Sequence, residues 1–145
     1  MSADEHKTVI RRLTDEALNQ GNLDVLAHVL ADTFTYHDPA NPQVTSRDDY
    51  QQFVTALRTA FPDIHFTIED EVADDDTLAV RWTMRGTHRG DLVMPEGPLT
   101  PTGKQVQVTG MSFFHVAGGK VVEWWVNADN LGFLQQLGVI PMPGQ

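Results

Sequence analysis

Val116-Ala117-Gly118-Gly119-Lys120-Val121 is the stretch that decides the fold. Two adjacent glycines stand between runs of apolar residues, and glycine reaches the positive φ angles that a tight strand reversal needs. The run from Val106 to Val116 and the run from Val121 to Val126 are therefore read as antiparallel strands joined by a hairpin. The same period of two extends upstream. Ile64, Phe66 and Ile68 alternate with His65, Thr67 and Glu69. After an acidic turn at Asp74-Asp75-Asp76, Leu78, Val80, Trp82 and Met84 alternate with Ala79, Arg81, Thr83 and Arg85. A Gly- and Pro-rich loop from Gly90 to Gly103 separates this pair from the next.

Before Pro62 the period is that of a helix. Val9, Ile10, Leu13, Ala17 and Leu18 form one apolar stripe that stops at Gly21-Asn22, and Leu23, Val25, Leu26, Val29 and Leu30 form a second. Thr33 to Tyr36 turns β-like, and His37-Asp38-Pro39-Ala40-Asn41-Pro42 is irregular because its prolines donate no backbone hydrogen bond. Ser46 and Asp49 have capping-box spacing ahead of a third helix whose apolar face is Tyr50, Phe53, Val54, Leu57 and Phe61. The sum is an α+β domain: three N-terminal helices packed on one face of a strongly curved, mostly antiparallel sheet, with a short C-terminal helix from Asn130 to Leu137.

Composition narrows the function. The 145 residues, 41% of them hydrophobic, fit one domain, residues 1–145, with a real core. A formal charge of -10 repels nucleic acid phosphates and anionic membrane, so neither is an expected partner. No cysteine is present, which excludes disulfides, thiol nucleophiles and thiolate metal sites. The acidic start and the lack of a long apolar run point to a cytoplasmic protein without a membrane span.

Several short motifs carry a resemblance that covers nearly the whole chain. They are Thr35-Tyr36-His37-Asp38-Pro39, Phe61-Pro62-Asp63, Arg81-Trp82-Thr83, Gly86-Thr87-His88-Arg89-Gly90, Pro101-Thr102-Gly103-Lys104, and Gly119-Lys120-Val121-Val122-Glu123 with Trp125, Asp129 and Gln136-Leu137-Gly138. In this order and spacing they resemble the SnoaL-like polyketide cyclases of the nuclear transport factor 2-like superfamily. The resemblance implies a cone-shaped α+β barrel with a closed pocket between helices and sheet. It also implies that Asp129 is the acid/base of an intramolecular aldol closure or related isomerisation, with His115, fourteen residues earlier, beside it. Many relatives carry arginine where His115 stands. Such chemistry asks for no metal and no cofactor, because one carboxyl can take a proton from carbon and return it to oxygen.

Each candidate has a plainer reading. Asp129 is also a favoured N-cap for the last helix, and the two roles are compatible. His115 shares a strand face with Met111 and Phe113, and parity does not settle whether that face is inward. His88 continues the face of Trp82 and Met84, as an oxyanion donor or as a histidine satisfied at a strand end. His37 either covers the mouth of the cavity or packs on Tyr36. Strict alternation sets Glu123, Trp125, Asn127 and Asp129 on one inward side, where Trp125 is core or substrate platform. Met94 and Leu99 line the cavity mouth or a subunit contact. His37, Trp82, Met94, Phe113 and Trp125 are thus the candidate substrate-binding residues, and His37, His88 and His115 lack metal-ligand spacing. Ketosteroid isomerase chemistry would have to draw its tyrosine donor from Tyr36 or Tyr50, the only tyrosines, and epoxide hydrolysis is disfavoured because Arg81 and Arg85 face away from Trp82. The expected partner is a small apolar molecule, with a second copy or a tetramer of the chain itself. The competing function is a non-catalytic module of the same fold that holds a hydrophobic ligand or only dimerises.

Overall fold

A computed structural model describes residues 2–141. Helix α1 (Ala3–Arg12) is capped by Ser2, whose side chain accepts the Glu5 N–H, and runs on as a π-helical segment, Leu13–Asn19. The wider turns carry Asn19 to β2 (His65–Asp74), where its side-chain amide pairs with both backbone groups of Phe66. Arg58 donates to the Leu18 and Asn19 carbonyls at the end of the π segment. A 3-10 turn, Leu23–Val25, leads to α2 (Leu26–Val29) and then β1 (Leu30–His37). Leu30, predicted to close the second helix, instead opens β1, because its backbone pairs with Val121 and a ladder outweighs a local apolar pattern. Helix α3 (Arg47–Ala60) begins with the predicted capping box of Ser46 and Asp49.

The remaining strands are β3 (Thr77–Thr87), β4 (Gln105–Ala117) and β5 (Lys120–Ala128), followed by α4 (Asn130–Gln136). They form one five-stranded sheet in the order β1-β5-β4-β3-β2. All pairs are antiparallel except β1 with β5, so the sheet is mixed. Register shifts in β2 and between β4 and β5 bend it around the helices. Past Ala128, where β5 stops covering β4, Gln136 takes over the free edge and bonds the Gln107 N–H and carbonyl through its own amide.

The concave face is apolar. Tyr36, Trp124, Phe114 and Leu78 lie side by side across four strands and are buried, and α3 lays Tyr50 and Val54 over them. A second buried cluster, with Phe61, Met84, Val106, Val108 and Leu137, fills the other end. Phe66 and Trp82 touch both clusters. Pro141 closes the described residues.

Candidate functional site

The sheet decides which candidates meet. Between β4 and β5 the register jumps from His115↔Glu123 to Val116↔Val121, leaving Val122 as an extra residue. That bulge reverses the alternation, so Val121, Trp124 and Val126 are buried while Trp125 turns outward. The inward placement predicted for Glu123, Trp125, Asn127 and Asp129 is therefore corrected: Trp125, Asn127 and Asp129 are exposed, and Glu123 lies with His37 on the outer face. On the convex face Trp125 stacks on His37 at 5.3 Å between ring centroids and meets Phe113 edge-on at 5.9 Å. His37 is held by Glu123 at 2.7 Å instead of covering a cavity mouth. His115 is on the same outer face, bonded to Asp76 in the β2–β3 turn at 2.8 Å. Glu123, the partner of His115, is six residues before Asp129, about 20 Å of strand at 3.3 Å per residue, so this His and Asp are not neighbours.

Asp129 caps α4. Its Oδ1 accepts the Gly132 N–H at 2.9 Å, its backbone N–H donates to Thr109, and its other oxygen has no partner among the described residues. The side chain is exposed. A Cβ on Gly132 would come 2.2 Å from Oδ2, so the glycine leaves the carboxylate room at the helix start. Ala128, before it, and Phe133, on α4 after it, pack against the second core cluster yet stay half-buried, as do Leu57 and Trp82. Trp82 is where the sequence put it, on the inner face, its indole N–H donating to the buried Ser112 hydroxyl at 3.0 Å and its ring lying over Gly110.

His88 is wholly buried beside Phe61. Thr102 donates its backbone N–H to Nδ1 at 3.1 Å, so Nδ1 is the acceptor and Nε2 carries the hydrogen, which has no partner. The residue pins Pro101-Thr102-Gly103-Lys104 to the end of β3, with the His88 N–H donating to Lys104 and the Gly103 N–H to His88. Met94 is half-buried in a tight turn closed by Gly97 N–H to Met94, while Leu92 and Leu99 bridge each other and pack on the second cluster.

Sequence reading named Tyr36 and Tyr50 only as possible tyrosine donors and did not foresee that they pack together. Tyr36 and Tyr50 are 5% and 3% exposed, their ring centroids 5.0 Å apart, and the Tyr36 hydroxyl donates to Asp38 Oδ2 at 3.4 Å. Asp38 also accepts from Asn41 and from the Ala40 N–H, an Asx turn that fixes the carboxylate. Burial, and next the charge environment that includes Asp38, push both phenols above the ordinary tyrosine range. Trp124 completes the group at 5.1 Å from Tyr36 and 4.9 Å from Tyr50, its indole nitrogen buried without a partner. The available signal was the sequence Tyr36-His37-Asp38-Pro39-Ala40-Asn41, a strand end running into an Asx turn. Two open clefts lie elsewhere. One, about 380 Å³, is lined by His6, Asp75, Asp76 and Val116 to Gly118, and the other, about 420 Å³, by Asp63, Arg85, Thr87, Gln105, Gln107 and Gln136.

A family model for SnoaL-like polyketide cyclase matches residues 8–137. The chain belongs to the SnoaL-like polyketide cyclase family. Solved structures agree. IdmH from Streptomyces antibioticus, described as a candidate polyketide cyclase, is 30% identical over 91% of this chain and 97% of its own, with a TM-score of 0.77. A candidate polyketide cyclase from Acidithiobacillus ferrooxidans is 30% identical over 96% and 99%, with a TM-score of 0.79. AclR from Streptomyces galilaeus, described as a candidate hydroxylase, reaches a TM-score of 0.84 at 25% identity over 99% and 87%. No curated protein matches. Among the described residues no helix is long and apolar enough to cross a membrane.

Proposed function

We propose that this family member is a cofactor-independent enzyme of cyclase type, with Asp129 as acid/base for an intramolecular aldol closure or related isomerisation of an apolar, carbonyl-bearing compound. Asp129 takes a proton from carbon beside a carbonyl, and the freed electron pair forms the ring C–C bond to a second carbonyl carbon. The oxygen of that carbonyl then receives the proton. The observation that carries the reading is the Asp129 oxygen without a partner among the described residues, next in sequence to the half-buried Ala128 and one helical turn from the half-buried Phe133. The carboxylate is exposed, so a bound substrate must itself exclude water from it. His88 and His115 do not adjoin it, and the reading gives them no proton to carry.

Asp129→Asn tests this cleanly. Asparagine caps a helix about as well as aspartate, so stability is retained while the exchangeable proton is lost. Turnover of a linear or partly cyclised polyketone is expected to fall at least about a hundredfold. Unchanged turnover would reject Asp129.

A second reading concerns assembly. Met111, Phe113 and Trp125 are 65%, 46% and 37% exposed on the convex face of adjoining strands, an apolar patch suited to a second copy of the chain. A homodimer or tetramer through this patch is compatible with the catalytic reading. If Asp129→Asn is silent, the non-catalytic ligand-binding or dimerisation module becomes the better account.

A further inference from the structure

We infer that the cleft between the α3–β2 turn, the adjoining ends of β3 and β4, and α4 is a binding site for a small organic monocarboxylate, held by the Arg85 guanidinium with the Gln105 and Gln107 amides as further donors. The site goes beyond the Asp129 reading and stands without it. The chain has ten Lys and Arg residues against twenty Asp and Glu, so a cation left without an acid is unusual here. Four arginines are in ion pairs: Arg11 with Glu71, Arg12 with Glu16, Arg47 with Asp32 and Arg81 with Asp70. Arg58 and Lys120 donate to backbone carbonyls. Among the described residues the other four, Lys7, Arg85, Arg89 and Lys104, have neither kind of partner, and three of them gather at one end of the sheet. Arg85 lines the cleft itself. Arg89 follows β3, its backbone N–H on the Ala60 carbonyl at the end of α3. Lys104 leads into β4, and its ammonium lies 2.7 Å from where a Cβ on Gly138 would stand, just past α4.

Cross-strand neighbours explain why Arg85 has no acid. Arg81 is opposite Asp70 on β2 and bonds it at 2.6 Å. Arg85, further along the same exposed face, is opposite His65 on β2 and Gln107 on β4. The one acid among the residues lining the cleft is Asp63, and both of its oxygens are taken, Oδ1 by the Thr87 N–H and Oδ2 by the Thr87 hydroxyl. These bonds, and next the charge of Arg89, hold its carboxyl below the usual range, so Asp63 is ionised without drawing on Arg85. The Gln136 amide is spent on the Gln107 backbone. The donors that remain are the guanidinium and the exposed side-chain amides of Gln105 and Gln107, which share its face.

A planar fork of N–H donors matches the two oxygens of a carboxylate. The cleft, about 420 Å³, has room for a ring-sized body behind that group, and Gly86 and Val106 supply an apolar part of its wall. A second negative charge is disfavoured, because Asp63 stands in the wall and the chain carries -10, so a phosphate monoester meets more repulsion than a monocarboxylate does. Gln107 is two residues from Thr109, whose carbonyl accepts the Asp129 N–H, a distance of about 7 Å along β4. The bound acid therefore sits at the Asp129 end of the sheet, and its binding asks nothing of that carboxylate.

The test titrates the full chain with 2-naphthoate, with 2-naphthamide, its neutral analogue of the same shape, and with 2-naphthyl phosphate, each followed by probe fluorescence at low ionic strength, where screening is weak. The wild type is expected to bind the acid about tenfold or more tighter than the amide. Arg85→Gln is expected to erase most of that preference and Arg85→Lys to keep part of it, because an ammonium retains the charge without the fork. Arg81→Gln removes the same charge from the same face and should leave the preference within about twofold, as should Asp129→Asn. Circular dichroism and thermal melts confirm that each variant is folded. Equal affinity for acid and amide, or no binding of either, overturns the site. A loss in Arg81→Gln as large as that in Arg85→Gln also overturns it, because it reports a diffuse field and no built site. Tighter binding of the phosphate than of the acid overturns the choice of a monocarboxylate. A preference lost in Asp129→Asn places the acid elsewhere and overturns the cleft. An Arg85-dependent preference together with unimpaired turnover in Asp129→Asn keeps the cleft and rejects the catalytic reading, so the two fail separately.

Discussion

Raising the pH should unfold this protein before its tyrosines ionise. Tyr36 and Tyr50 are the only tyrosines, both buried, and their folded pKa values are raised by burial and then by neighbouring charge, Asp38 included. A raised pKa means stability that is complete below the unfolded value, about 10, and lost as pH climbs beyond it toward the folded value. Each phenol that ionises only in the unfolded chain removes about 1.4 kcal/mol per pH unit above 10, so the pair removes about 2.8 kcal/mol per unit. At pH 11 that is a sizeable share of a typical folding free energy of about 5–15 kcal/mol. Urea melts between pH 9 and 11.5 measure it, with Tyr50→Phe expected to flatten the slope by half of the tyrosine contribution. Phenolate absorbance near 295 nm should rise together with loss of the far-ultraviolet dichroism. Phenolate that appears near pH 10 in the folded chain would refute the argument, because it would mean that water reaches the hydroxyls.

At the acid end the sign reverses. Asp63 accepts the Thr87 N–H and hydroxyl at 2.7 Å each, and these bonds hold its carboxyl below the usual range. Its contribution is present above the unfolded value of about 3.9 and lost as pH falls through the folded one, so the melting temperatures of wild type and Asp63→Asn should converge between pH 4 and 2. Gly132→Ala improves helix propensity by up to about 1 kcal/mol but collides with Asp129 Oδ2. It should therefore cut turnover while the melting temperature holds or falls slightly, and full activity in that variant would show that the carboxylate position is irrelevant. Replacing Met111, Phe113 and Trp125 together by Lys should abolish self-association in sedimentation while leaving Asp129-dependent activity in place. A chain that is monomeric before the change would exclude the convex patch as an interface.

The legible parts of this protein were those set by local chemistry. Ser46 and Asp49 three residues apart make a capping box wherever a helix follows, and Gly118-Gly119 makes a hairpin because few other residues accept positive φ. Trp82 could be assigned to the inner face because no irregularity interrupts its pairing with β4. Asp129 could be read as both cap and candidate acid because either role needs only its place after β5. Trp125 was misplaced for one reason. A single extra residue, Val122, exchanges the two faces of β5, and nothing in Val121-Val122-Glu123 announces it, since strand pairing with β4 selects where the surplus residue goes. The same holds for the Tyr36, Tyr50 and Trp124 group, drawn from two strands and a helix far apart in sequence and brought together by sheet order. Periodicity and turn chemistry, which act over a few residues, were determined by the sequence alone; which carboxylate, hydroxyl or ring faces the interior depended on register and packing between distant segments, and only the tertiary structure decides those.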